Sequence, residues 1–576
     1  MATRLENLPE NWTTARVDQV GAVRLGRQRS PDKQSGRHTT KYLRAGNITP
    51  AGLKLENVLE MDFTPAERAT FTLRDGDLVI TEASGSAAQV GRAAIWRDEI
   101  PGCCFQNTVI RLRPHAVTPE FALLTLRHLA LSGEFGRVAR GVGIQHLGAS
   151  RFAAITIAVP PMAEQTRIAR TADEKLKELR EAEAALAAAL KGIAAQDKEI
   201  LAAAATGELV ETESALASRE GRPFQSARDA LAAIRATPAE TDLFAQSSLA
   251  EPGAEEPAGW AWVTVAEAGE VMLGMMRQPS RHKGRNMRPY LRVANVFEAR
   301  IDTSDLHEMH FSDAEAETYL LRRGDILLNE GQSPELVGRP AMFNDEIKGA
   351  CFQNTLLRFR AGPVVDRDFA LLVFRHYLHA GEFKKVAQWS TNIAHLSKAR
   401  FSTLPFPVPP AAEQQRIVAE AHRRLEASTA QRILVEASLA RIPDMIAQLL
   451  GAAVNGDLTT QDPADEPASG LLERLGPPPK DVMPQSPPTK TDEADAVIDP
   501  ATDGVEASAL SLADVLRASG RPMTLPDLCY AAGYDRNQVG EVERFYVALR
   551  SELGTTVRIS EPADENALVE AIDAAG

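Results

Sequence analysis

The sequence predicts an α+β protein: two homologous globules joined by two long antiparallel coiled-coil helices in a pseudo-twofold arrangement, plus a small helical, winged-helix-like C-terminal domain. Three observations predict this fold class. A long stretch of the sequence occurs twice as an internal repeat. Each copy opens with short apolar runs that alternate with Gly-rich turns, a pattern typical of strands. Each copy then has a Pro-Pro step, followed by a long segment rich in Ala, Leu and charged residues that indicates a helix.

Short matching motifs carry the duplication. The offset between the copies drifts only from 247 to 250 residues, so the copies differ by almost no net insertion. The matches are Trp12 with Trp262, Leu25-Gly26 with Leu273-Gly274, Tyr42-Leu43-Arg44 with Tyr290-Leu291-Arg292, Asn47 with Asn295, Cys104 to Thr108 with Cys351 to Thr355, Phe121 to Leu124 with Phe369 to Leu372, His146-Leu147 with His395-Leu396, Arg151-Phe152 with Arg400-Phe401, Pro160-Pro161 with Pro409-Pro410, and Glu164-Gln165 with Glu413-Gln414. Two similar modules on one chain can read two elements of an extended ligand.

Within each globule, the apolar runs predict strands and one segment predicts a helix. In the first copy the strands are expected at 78–80 and 108–110, next to the turns at 75–77 and 84–86. The helix is expected at 121–131, with its counterpart at 369–378. Strands mixed with a helix indicate an α+β globule.

Each Pro-Pro step predicts the start of a long helix, because proline pre-sets the φ angle of the first turn. The helices are expected to end near Thr206 and Asn455. Some 45 residues make a rod of roughly 65 Å. Gly192 and Pro443 are expected kink points. Two equivalent apolar seams on one chain favour pairing with each other. The seam positions are Leu176, Leu179, Ala182, Leu186, Leu190 and Ile193 in the first helix, and Leu425, Ser428, Gln431, Val435, Leu439 and Ile442 in the second.

The remaining segments complete the predicted domain order. The first globule is expected at 1–159, the first long helix at 160–210, a linker at 211–259, the second globule at 260–408, the second long helix at 409–458, a disordered acidic linker at 459–506 and the small C-terminal domain at 507–576. In the last domain, segments 511–520, 525–533 and 538–552 predict helices and 556–559 a strand. Both a helix-turn-helix with a wing and a protein-docking bundle fit this pattern, and the acidic balance favours docking.

The net charge of −14 conceals an uneven distribution. Residues 1–155 carry 20 basic and 15 acidic side chains, and residues 260–408 carry 19 and 17. Residues 459–576 carry 9 and 22. Because local charge governs attraction to phosphates, each globule is a plausible nucleic-acid-facing module on an acidic chain.

Neither an enzyme nor a metal protein is indicated. The four cysteines form no Cys-x-x-Cys pair and read as buried apolar residues of a reducing compartment. No amino-methyltransferase tetrapeptide or phosphate-binding loop occurs, and Gly141-x-Gly143 is no dinucleotide fingerprint. No signal peptide or membrane-spanning run is found, so we expect a cytoplasmic protein without a cofactor or metal.

A basic, loop-rich segment recurs at the same place in both copies. Arginine can donate to phosphates and can bond guanine bidentately, so these segments are candidate DNA contacts, although a solvated charged loop explains any single residue equally well. The candidates are Arg27, Arg29, Lys33, Arg37, Lys41 and Arg44 in the first copy, where Arg24 is also part of the segment, and Arg277, Arg281, Lys283, Arg285, Arg288 and Arg292 in the second.

Further candidates lie on turns. Ser86 and the pair Gln332-Ser333 follow strands, where a backbone amide can approach phosphate, although simple hairpin turns fit equally well. Gln145-His146 and Asn392 with His395 precede the last strand of each globule, and DNA contact and a structural turn are balanced there. Gln106-Asn107 and Gln353-Asn354 favour a buried polar network.

These motifs together resemble the specificity subunit of a type I restriction–modification system. The resemblance covers residues 5–210 and 258–460 and rests on the Leu-Gly turn, the Tyr-Leu-Arg strand, Arg-x-Gly-Asp-[IL]-[LV], Phe-Gln-Asn, Ile-x-His-Leu and the repeated Pro-Pro-x-x-Glu-Gln-x-Arg-Ile. In the first copy the Ile-x-His-Leu step reads Ile144-Gln145-His146-Leu147. Residues 459–576 lie outside the usual core of this family.

The resemblance implies a non-catalytic subunit that reads double-stranded DNA. Each globule would be a target-recognition domain for one half of a bipartite target, and the paired helices would be a spacer that also docks two adenine-N6 methyltransferase subunits. An ATP-dependent restriction subunit is a further implied partner. Unlike loops in the two copies predict an asymmetric target. The alternatives are a stand-alone DNA-binding regulator, whose C-terminal unit also contacts DNA, and a self-contained nuclease.

Overall fold

The computed structural model describes most of the chain. The described residues are 8–28, 36, 38–84, 90–140, 145–235, 257–278, 281, 283, 285–390, 393–479, 511–532, 534, 545, 548, 549, 551, 552, 556–559 and 568–571. Two compact units make up the chain, Met1–Gln485 and Ser486–Gly576. Within the described part, every helix is too short or too polar to span a lipid bilayer.

The first globule consists of short strands and short helices and leads into the first long helix. Its elements are β1 (Thr13–Arg16), α1 (Val17–Val20), β2 (Gly21–Leu25), β3 (Thr39–Leu43), β4 (Ile48–Thr49), β5 (Gly52–Leu53), β6 (Leu59–Asp62), α2 (Pro65–Phe71), β7 (Leu78–Thr81), β8 (Ala83–Ser84), β9 (Ala93–Ile95), β10 (Cys104–Phe105), β11 (Val109–Pro114), α3 (Pro119–Leu131), α4 (Glu134–Val138), β12 (Gln145–His146), α5 (Ala149–Ala153), β13 (Thr156–Val159) and the long helix α6 (Met162–Thr206).

The second globule repeats this order after two short helices. Its elements are α7 (Glu213–Glu220), α8 (Ala227–Arg235), β14 (Ala261–Thr264), α9 (Val265–Ala268), β15 (Gly269–Leu273), β16 (Met287–Leu291), β17 (Val296–Phe297), β18 (Arg300–Ile301), β19 (His307–His310), α10 (Asp313–Tyr319), β20 (Ile326–Asn329), β21 (Gly331–Gln332), β22 (Pro340–Met342), β23 (Cys351–Phe352), β24 (Leu356–Ala361), α11 (Arg367–Ala380), α12 (Glu382–Val386), β25 (Gln388–Ser390), β26 (Ile393–His395), α13 (Lys398–Ser402), β27 (Pro405–Val408) and the long helix α14 (Ala411–Asn455), followed by α15 (Ala468–Leu475).

Each globule is organised around an antiparallel four-stranded sheet. The strand order is β2-β11-β7-β9 in the first globule and β15-β24-β20-β22 in the second. The central strand β7 is buried at all four of its residues, as its continuous apolar run requires. A smaller sheet lies beside it in each globule, β10-β3-β6 or β19-β16-β23. The predicted α+β architecture of the globules is therefore confirmed.

The two long helices begin and end at equivalent residues. Each starts immediately after a Pro-Pro step and spans 45 residues. Each ends at a glycine in the left-handed conformation, Gly207 with φ 82° and Gly456 with φ 80°, where a side chain would be strained. Gly192 and Pro443 both lie inside helices that continue past them.

Both long helices contribute to the core of the first globule. The start of α6 supplies Ile168, Ala172 and Leu176, and the end of α14 supplies Leu450 and Ala453. The same apolar cluster contains residues of β7, β11 and α3. This core therefore joins one helix start to the other helix end.

The core of the second globule has the reciprocal composition. The end of α6 supplies Ile200, Leu201 and Ala204, whereas the start of α14 supplies Ile417 and Ala421. One globule therefore holds the start of α6 with the end of α14, and the other globule holds the opposite pair of ends. Only an antiparallel pair of helices satisfies both conditions, which is the predicted pseudo-twofold arrangement.

A polar contact joins the helices between these cores. Asp197 on α6 accepts hydrogen bonds from the Ser428 hydroxyl and the Arg432 guanidinium on α14. The predicted seam is only partly buried, since Ile193 and Ile442 are buried but Ala182 and Gln431 are exposed. Long coiled-coil regularity is therefore limited to part of the pair.

The segments that follow the long helices pack onto the globules. After α6, Leu209 packs into the core of the second globule, and so do Ala227 and Leu231 of α8, which lies within the predicted linker. After α14, Ala468 packs into the core of the first globule, although its helix α15 falls in the segment predicted to be disordered. That expectation is wrong for this helix, because its apolar face has a core to pack against. Residues 480–510 lie outside the described residues.

The repeated Pro-Pro-x-x-Glu-Gln motif fixes the first globule to its helix. Gln165 is fully buried at the start of α6. Its Oε1 accepts a hydrogen bond from the Thr118 amide at 2.7 Å, and its Nε2 donates to the carbonyls of Ala116 and Pro160. Buried backbone groups need such partners, so one amide side chain satisfies three of them.

Gln414 makes the same three contacts in the second globule. Its Oε1 accepts from the Asp366 amide at 2.6 Å, and its Nε2 donates to the carbonyls of Val364 and Pro409 at 2.9 and 2.8 Å. The two long helices are therefore joined to their globules by the same hydrogen bonds.

The glutamate of the motif accepts one hydrogen bond from a tryptophan and another from the segment that follows the other long helix. Glu164 accepts from the Trp12 indole at 2.9 Å and from the Gln461 amide at 2.7 Å. Glu413 accepts from the Trp260 indole at 2.8 Å and from the Glu213 backbone amide at 2.7 Å. Burial raises the pKa of both glutamates, and the tryptophan hydrogen bonds oppose that rise.

These contacts correct one match in the duplicated sequence. Trp260, and not Trp262, is the counterpart of Trp12. The strand registers agree, since Thr13 pairs with Val159 and Ala261 pairs with Val408. The misassignment arose because the alternating segment Trp260-Ala261-Trp262 offers two tryptophans at neighbouring positions.

The C-terminal unit has its own small core of Leu512, Leu516, Leu528, Val557 and Val569. Its elements are α16 (Leu512–Ser519), β28 (Met523–Thr524), α17 (Leu525–Ala531), β29 (Val557–Ile559) and β30 (Leu568–Ala571), with the strand order β28-β30-β29. Two of the predicted helices and the predicted strand are present. Most of the third, 538–552, lies outside the described residues, and the winged-helix assignment stays a prediction.

Replacing Gln414 by Ala should lower the free energy of unfolding by on the order of 1–3 kcal/mol, because one buried and two half-buried backbone groups lose their partner. Urea denaturation of the full chain measures this loss. The neighbouring Gln415 is exposed on the same helix, so Gln415→Ala is the matched control and should change stability by less than about 0.5 kcal/mol. Equal losses in both variants would contradict the assigned role of Gln414.

Candidate nucleic-acid interface

The segments that carry the predicted site residues leave the four-stranded sheet of each globule at the same end. In the second globule, the register pairs Leu273 with Leu357 and Asn329 with Leu356. The carboxyl ends of β15 and β20 therefore both lie beside the start of β24. The basic segment leaves the sheet from β15, and the ribbon of β21, β25 and β26 leaves it from β20. Equivalent pairs, Leu25 with Ile110 and Thr81 with Val109, give the first globule the same geometry.

This end of the strand is the one remote from the long helix. In the first globule, β11 begins beside the two loop exits and ends at Pro114. Gln165, at the start of α6, binds the backbone that follows β11 at Ala116 and Thr118. The helix thus holds one end of the strand, and the other end presents the basic segment.

The Leu-Gly turn that recurs in both basic segments requires glycine, because the backbone there passes very close to the Phe-Gln-Asn segment. A Cβ added to Gly26 would lie 2.1 Å from the Gln106 carbonyl oxygen, and one added to Gly274 would lie 2.3 Å from that of Gln353. No residue except glycine fits at this distance. The backbone amide of Gln106 in turn donates a hydrogen bond to the Leu43 carbonyl at 2.9 Å. The backbone of Phe-Gln-Asn therefore links the two sheets, whereas the Gln and Asn residues, which the sequence favoured as a buried polar network, are half-buried in both globules.

Arg27 is the clearest departure from the predicted contacts. Its side chain is buried, and its Nε donates to Glu67 at 2.8 Å. The guanidinium also lies 5.1 Å from the centroid of the Phe63 ring, at cation–π distance. Burial alone would raise the pKa of Glu67, but the hydrogen bond and charge of Arg27, together with the hydrogen bonds from Thr64, outweigh burial and lower this pKa. Arg27 is therefore a structural anchor, which argues against the predicted DNA contact.

The other candidates of the first basic segment differ in exposure. Lys41 is exposed on β3, whereas Arg44 is half-buried and among the described residues its Nε has no hydrogen-bond partner. Arg29, Lys33 and Arg37 lie outside the described residues.

Arg281 holds the second basic segment to α10. Its guanidinium donates two hydrogen bonds of 2.9 Å to the Glu315 carboxylate, a bidentate pair. The hydrogen bonds from Arg281 and then from the Ser312 amide lower the pKa of Glu315 to about 2. Glu315 occupies the position of Glu67, so both globules use this glutamate to anchor an arginine, although the arginines come from different loop positions.

Around this anchor, the second segment presents several cations to solvent. Arg277, Lys283 and Arg285 are exposed and Arg288 is half-buried. Arg292 is engaged, since its guanidinium donates to Asp305 and lies 3.2 Å from the His307 Nε2. Exposed Lys283 and Arg285 follow Arg281 within four residues along the chain.

A histidine–glutamate pair recurs on the ribbon that leaves the central strand. His146 Nδ1 lies 3.0 Å from Glu82, and His395 Nδ1 lies 3.3 Å from Glu330. Each histidine lies on β12 or β26, and each glutamate immediately precedes the paired strand, β8 or β21. Gln145 precedes His146 on β12 and is half-buried.

The other candidate residues of the ribbons are Gln332, Ser333, Ser86 and Asn392. Gln332 is half-buried on β21, and its Oε1 accepts from the Ser333 amide at 3.1 Å. The Ser333 carbonyl accepts from the Leu336 and Val337 amides, which makes Ser333 the start of a turn. Ser86 and Asn392 lie outside the described residues.

The described residues contain no group of three or more His, Cys, Asp or Glu side chains arranged to hold a metal ion. Asp77, on the turn at 75–77, is buried and receives two hydrogen bonds from Arg113. Burial raises the pKa of Cys103 to about 12 and that of Cys104 and Cys351 to about 11, so these thiols stay protonated.

Sequence reasoning missed the ion pairs that separate anchored arginines from exposed ones. The charge of Arg27 suggested a DNA contact, whereas its partner Glu67 is 40 residues away in the chain. A usable signal was present, because Thr64 and Glu67 form a capping box that places the glutamate at the start of α2.

Replacing Arg27 by Ala should lower the free energy of unfolding by on the order of 2 kcal/mol, since Glu67 loses its partner inside the fold. Lys41→Ala provides the comparison, because Lys41 is exposed on a neighbouring strand and its loss should change stability by less than about 0.5 kcal/mol. Thermal and urea unfolding of the full chain measure both values. An Arg27 variant as stable as the native chain would refute the anchor.

Comparison with known proteins agrees with this architecture. A family described as "Type I restriction modification DNA specificity domain" matches residues 9–188 and 289–431. The specificity subunit of the type I restriction enzyme StySPI from Salmonella potsdam is 23% identical over 489 residues, covering 81% of this chain and 95% of that protein. The EcoKI specificity subunit from Escherichia coli (strain K12) is 21% identical over 485 residues, with the same coverage.

The fold has a counterpart among solved structures. A chain from a type I R-M system, solved in work on complex assembly and conformational transition, superposes with a TM-score of 0.56 at 18% identity, covering 78% of this chain and 100% of that one. Since the family match extends over more than half of the residues, the chain belongs to the type I restriction-modification DNA specificity family and is a DNA-recognition subunit of that kind.

Proposed function

We propose that this chain reads a bipartite, asymmetric DNA target and directs adenine-N6 methyltransferase subunits to it. Each globule is a target-recognition domain for one half of the target, within the domain boundaries predicted from the sequence. The observation that carries the proposal is the reciprocal composition of the two cores, in which α6 and α14 each enter both globules. This construction holds two similar basic sheet ends in one constant relation, as reading of two separated half-sites requires.

Phosphate binding is assigned to the exposed cations of the basic segments. Lys41, Lys283 and Arg285 are exposed, as is Arg277, and exposed cations of this kind can donate to phosphate oxygens. Base reading is assigned to side chains of the ribbons, which emerge from the same sheet end. Amides such as Gln145 and Gln332 can bond adenine bidentately, and arginines can do so with guanine.

Asymmetry of the target follows from the unlike loops of the two globules. The residue beside Gln106 is Arg27 in the first globule, whereas the residue beside Gln353 is Met275 in the second. The loop anchor accordingly comes from Arg27 in one globule and from Arg281 in the other. Two differently anchored loops of unlike sequence on one scaffold present different donors, so the half-sites should differ.

The helix pair serves as a spacer and as the docking region for two methyltransferase subunits. A helix of 45 residues spans roughly 65 Å, so the pair can separate the globules by up to about two turns of DNA. Methyl transfer requires the target adenine to leave the base stack, and we assign that chemistry to the docked subunits. An ATP-dependent restriction subunit is a further partner of this assembly.

The C-terminal unit carries the alternative function. Its strand order β28-β30-β29, after α16 and α17, is compatible with a winged helix, which would suit a stand-alone DNA-binding regulator. The excess of acidic side chains in residues 459–576 disfavours contact with phosphate. We therefore assign the unit to protein docking.

Replacing Lys283 and Arg285 together by Gln should weaken binding to a duplex and reduce the slope of log K against log salt by roughly 1.8, because each phosphate contact contributes about 0.9. The matched control replaces Lys191 and Lys198, two exposed lysines of α6, by Gln and removes the same charge far from the sheet ends. Binding titrations at several salt concentrations give the slopes. Identical slopes in the two double variants would show that the loop cations do not touch phosphate.

Exchange of residues 13–155 for the equivalent module of a relative with another target should change one half of the methylated motif and leave the other half intact, because each globule has its own sheet and its own basic segment. Methylome sequencing of a strain deleted for the native gene and complemented with the exchanged chain reads both halves. The reciprocal exchange of residues 261–408 is the control. A change in both halves would contradict independent reading, and an N6-methyladenine pattern unaffected by the deletion would favour the regulator.

A further inference from the structure

Trp389 is the exposed member of the five tryptophans in the chain. Its surface is 57% exposed, whereas Trp12, Trp96 and Trp260 are buried and donate their indole N–H groups to carboxylates. The indole is the largest apolar side chain, and leaving it in water forfeits a large burial energy. An exposed tryptophan in a well-packed globule is therefore a candidate contact for a partner.

The position of Trp389 places it within the candidate nucleic-acid interface. It lies on β25, where it pairs with Ala394 of β26, and β26 pairs in turn with β21. Ala394 is fully buried, so the partner strand is anchored in the core while the indole stands in solvent. The ribbon leaves the same sheet end as the basic segment that carries Lys283 and Arg285.

The surroundings of Trp389 combine an apolar surface with positive charge. The side chain of Ile393, on the facing strand, is 47% exposed. The Lys384 ammonium lies 6.0 Å from the centroid of the indole ring, at the outer limit of a cation–π contact, and 3.7 Å from Glu335. This local contact leaves more than half of the tryptophan surface uncovered.

The first globule has no aromatic side chain at the corresponding position. Arg140 forms a β-bridge with His146, and Gln388 pairs in the same way with the equivalent histidine, His395. Arg140 and Gln388 are therefore equivalent, and the residues that follow them are Gly141 in the first copy and Trp389 in the second. The tryptophan is therefore a feature of one module and is not required by the shared fold.

We propose that the Trp389 indole is a DNA wedge, which stacks on an unstacked base in or beside the half-site read by the second globule. Apolar side chains on proteins that contact DNA insert at base steps and unstack them, and base–aromatic stacking is worth several-fold to more than a hundredfold in affinity. The inference rests on the proposed function and deepens it. Local unstacking at this half-site lowers the energy that a docked methyltransferase spends in extruding its adenine.

The test uses the full chain and a duplex selected by that chain from a random-sequence pool. Anisotropy of the end-labelled duplex measures binding, and acrylamide quenching of tryptophan fluorescence measures access to Trp389. Bound duplex should protect the exposed fraction of the fluorescence from acrylamide. Trp389→Ala should weaken binding about 5- to 150-fold, whereas Trp389→Phe, which keeps an aromatic ring, should retain most of the affinity. Leu434→Ala is the control, because Leu434 is 69% exposed on α14, away from the ribbon.

A base analogue locates the contact. The fluorescence of 2-aminopurine, placed at successive positions of the selected duplex, should rise on binding at one step of the second half-site, and the rise should disappear with Trp389→Ala. Normal binding with Trp389 still quenched by acrylamide, or with unchanged 2-aminopurine fluorescence, would overturn the wedge and leave the proposed function standing. Failure of the native chain to select or bind any duplex would overturn both. Equal thermal unfolding of the native chain and Trp389→Ala excludes misfolding as the cause of weaker binding.

Discussion

The buried Glu-Gln pair at the start of each long helix is the contact on which the rest of the architecture depends. The glutamine satisfies three backbone groups of its own globule, and the glutamate joins the tryptophan at the globule start to the segment that follows the other helix. A single helical turn thus binds three distant parts of the chain. Because both side chains are removed from water, their hydrogen bonds have no solvent competitor, and any missing partner costs the full desolvation penalty.

Reciprocal sharing of the helices follows from this contact. Each globule completes its apolar core with the start of one helix and the end of the other, so neither globule has an independent core in the full chain. The short helices α8 and α15, which follow the long helices, add to the same cores. Pseudo-twofold symmetry is a consequence of a duplicated chain satisfying the same contacts twice. It gives the two recognition ends a constant relation that flexible linkers would not provide.

The two copies differ in how their basic segments are held at the sheet end remote from the helices. There the scaffold keeps its glycine turn and its anchoring glutamate, while the anchored arginine and the ribbon differ between the copies. The anchored cations hold a loop to a helix, whereas the exposed ones are those to which we assign phosphate binding. A family that changes its DNA target can alter this end without disturbing the buried hydrogen bonds that hold the helices.

The duplication, the two long helices with their ends, and the family were all readable from local patterns, because Pro-Pro steps, helix-ending glycines and short motifs encode backbone conformation directly. The pairing of the helices was an expectation from symmetry, and only the shared cores decided its direction. Tertiary structure alone separated Trp260 from Trp262, buried Arg27 against Glu67 and ordered α15 on the first globule. Each of these outcomes depends on a partner far along the chain, and neither residue type nor spacing specifies such a partner.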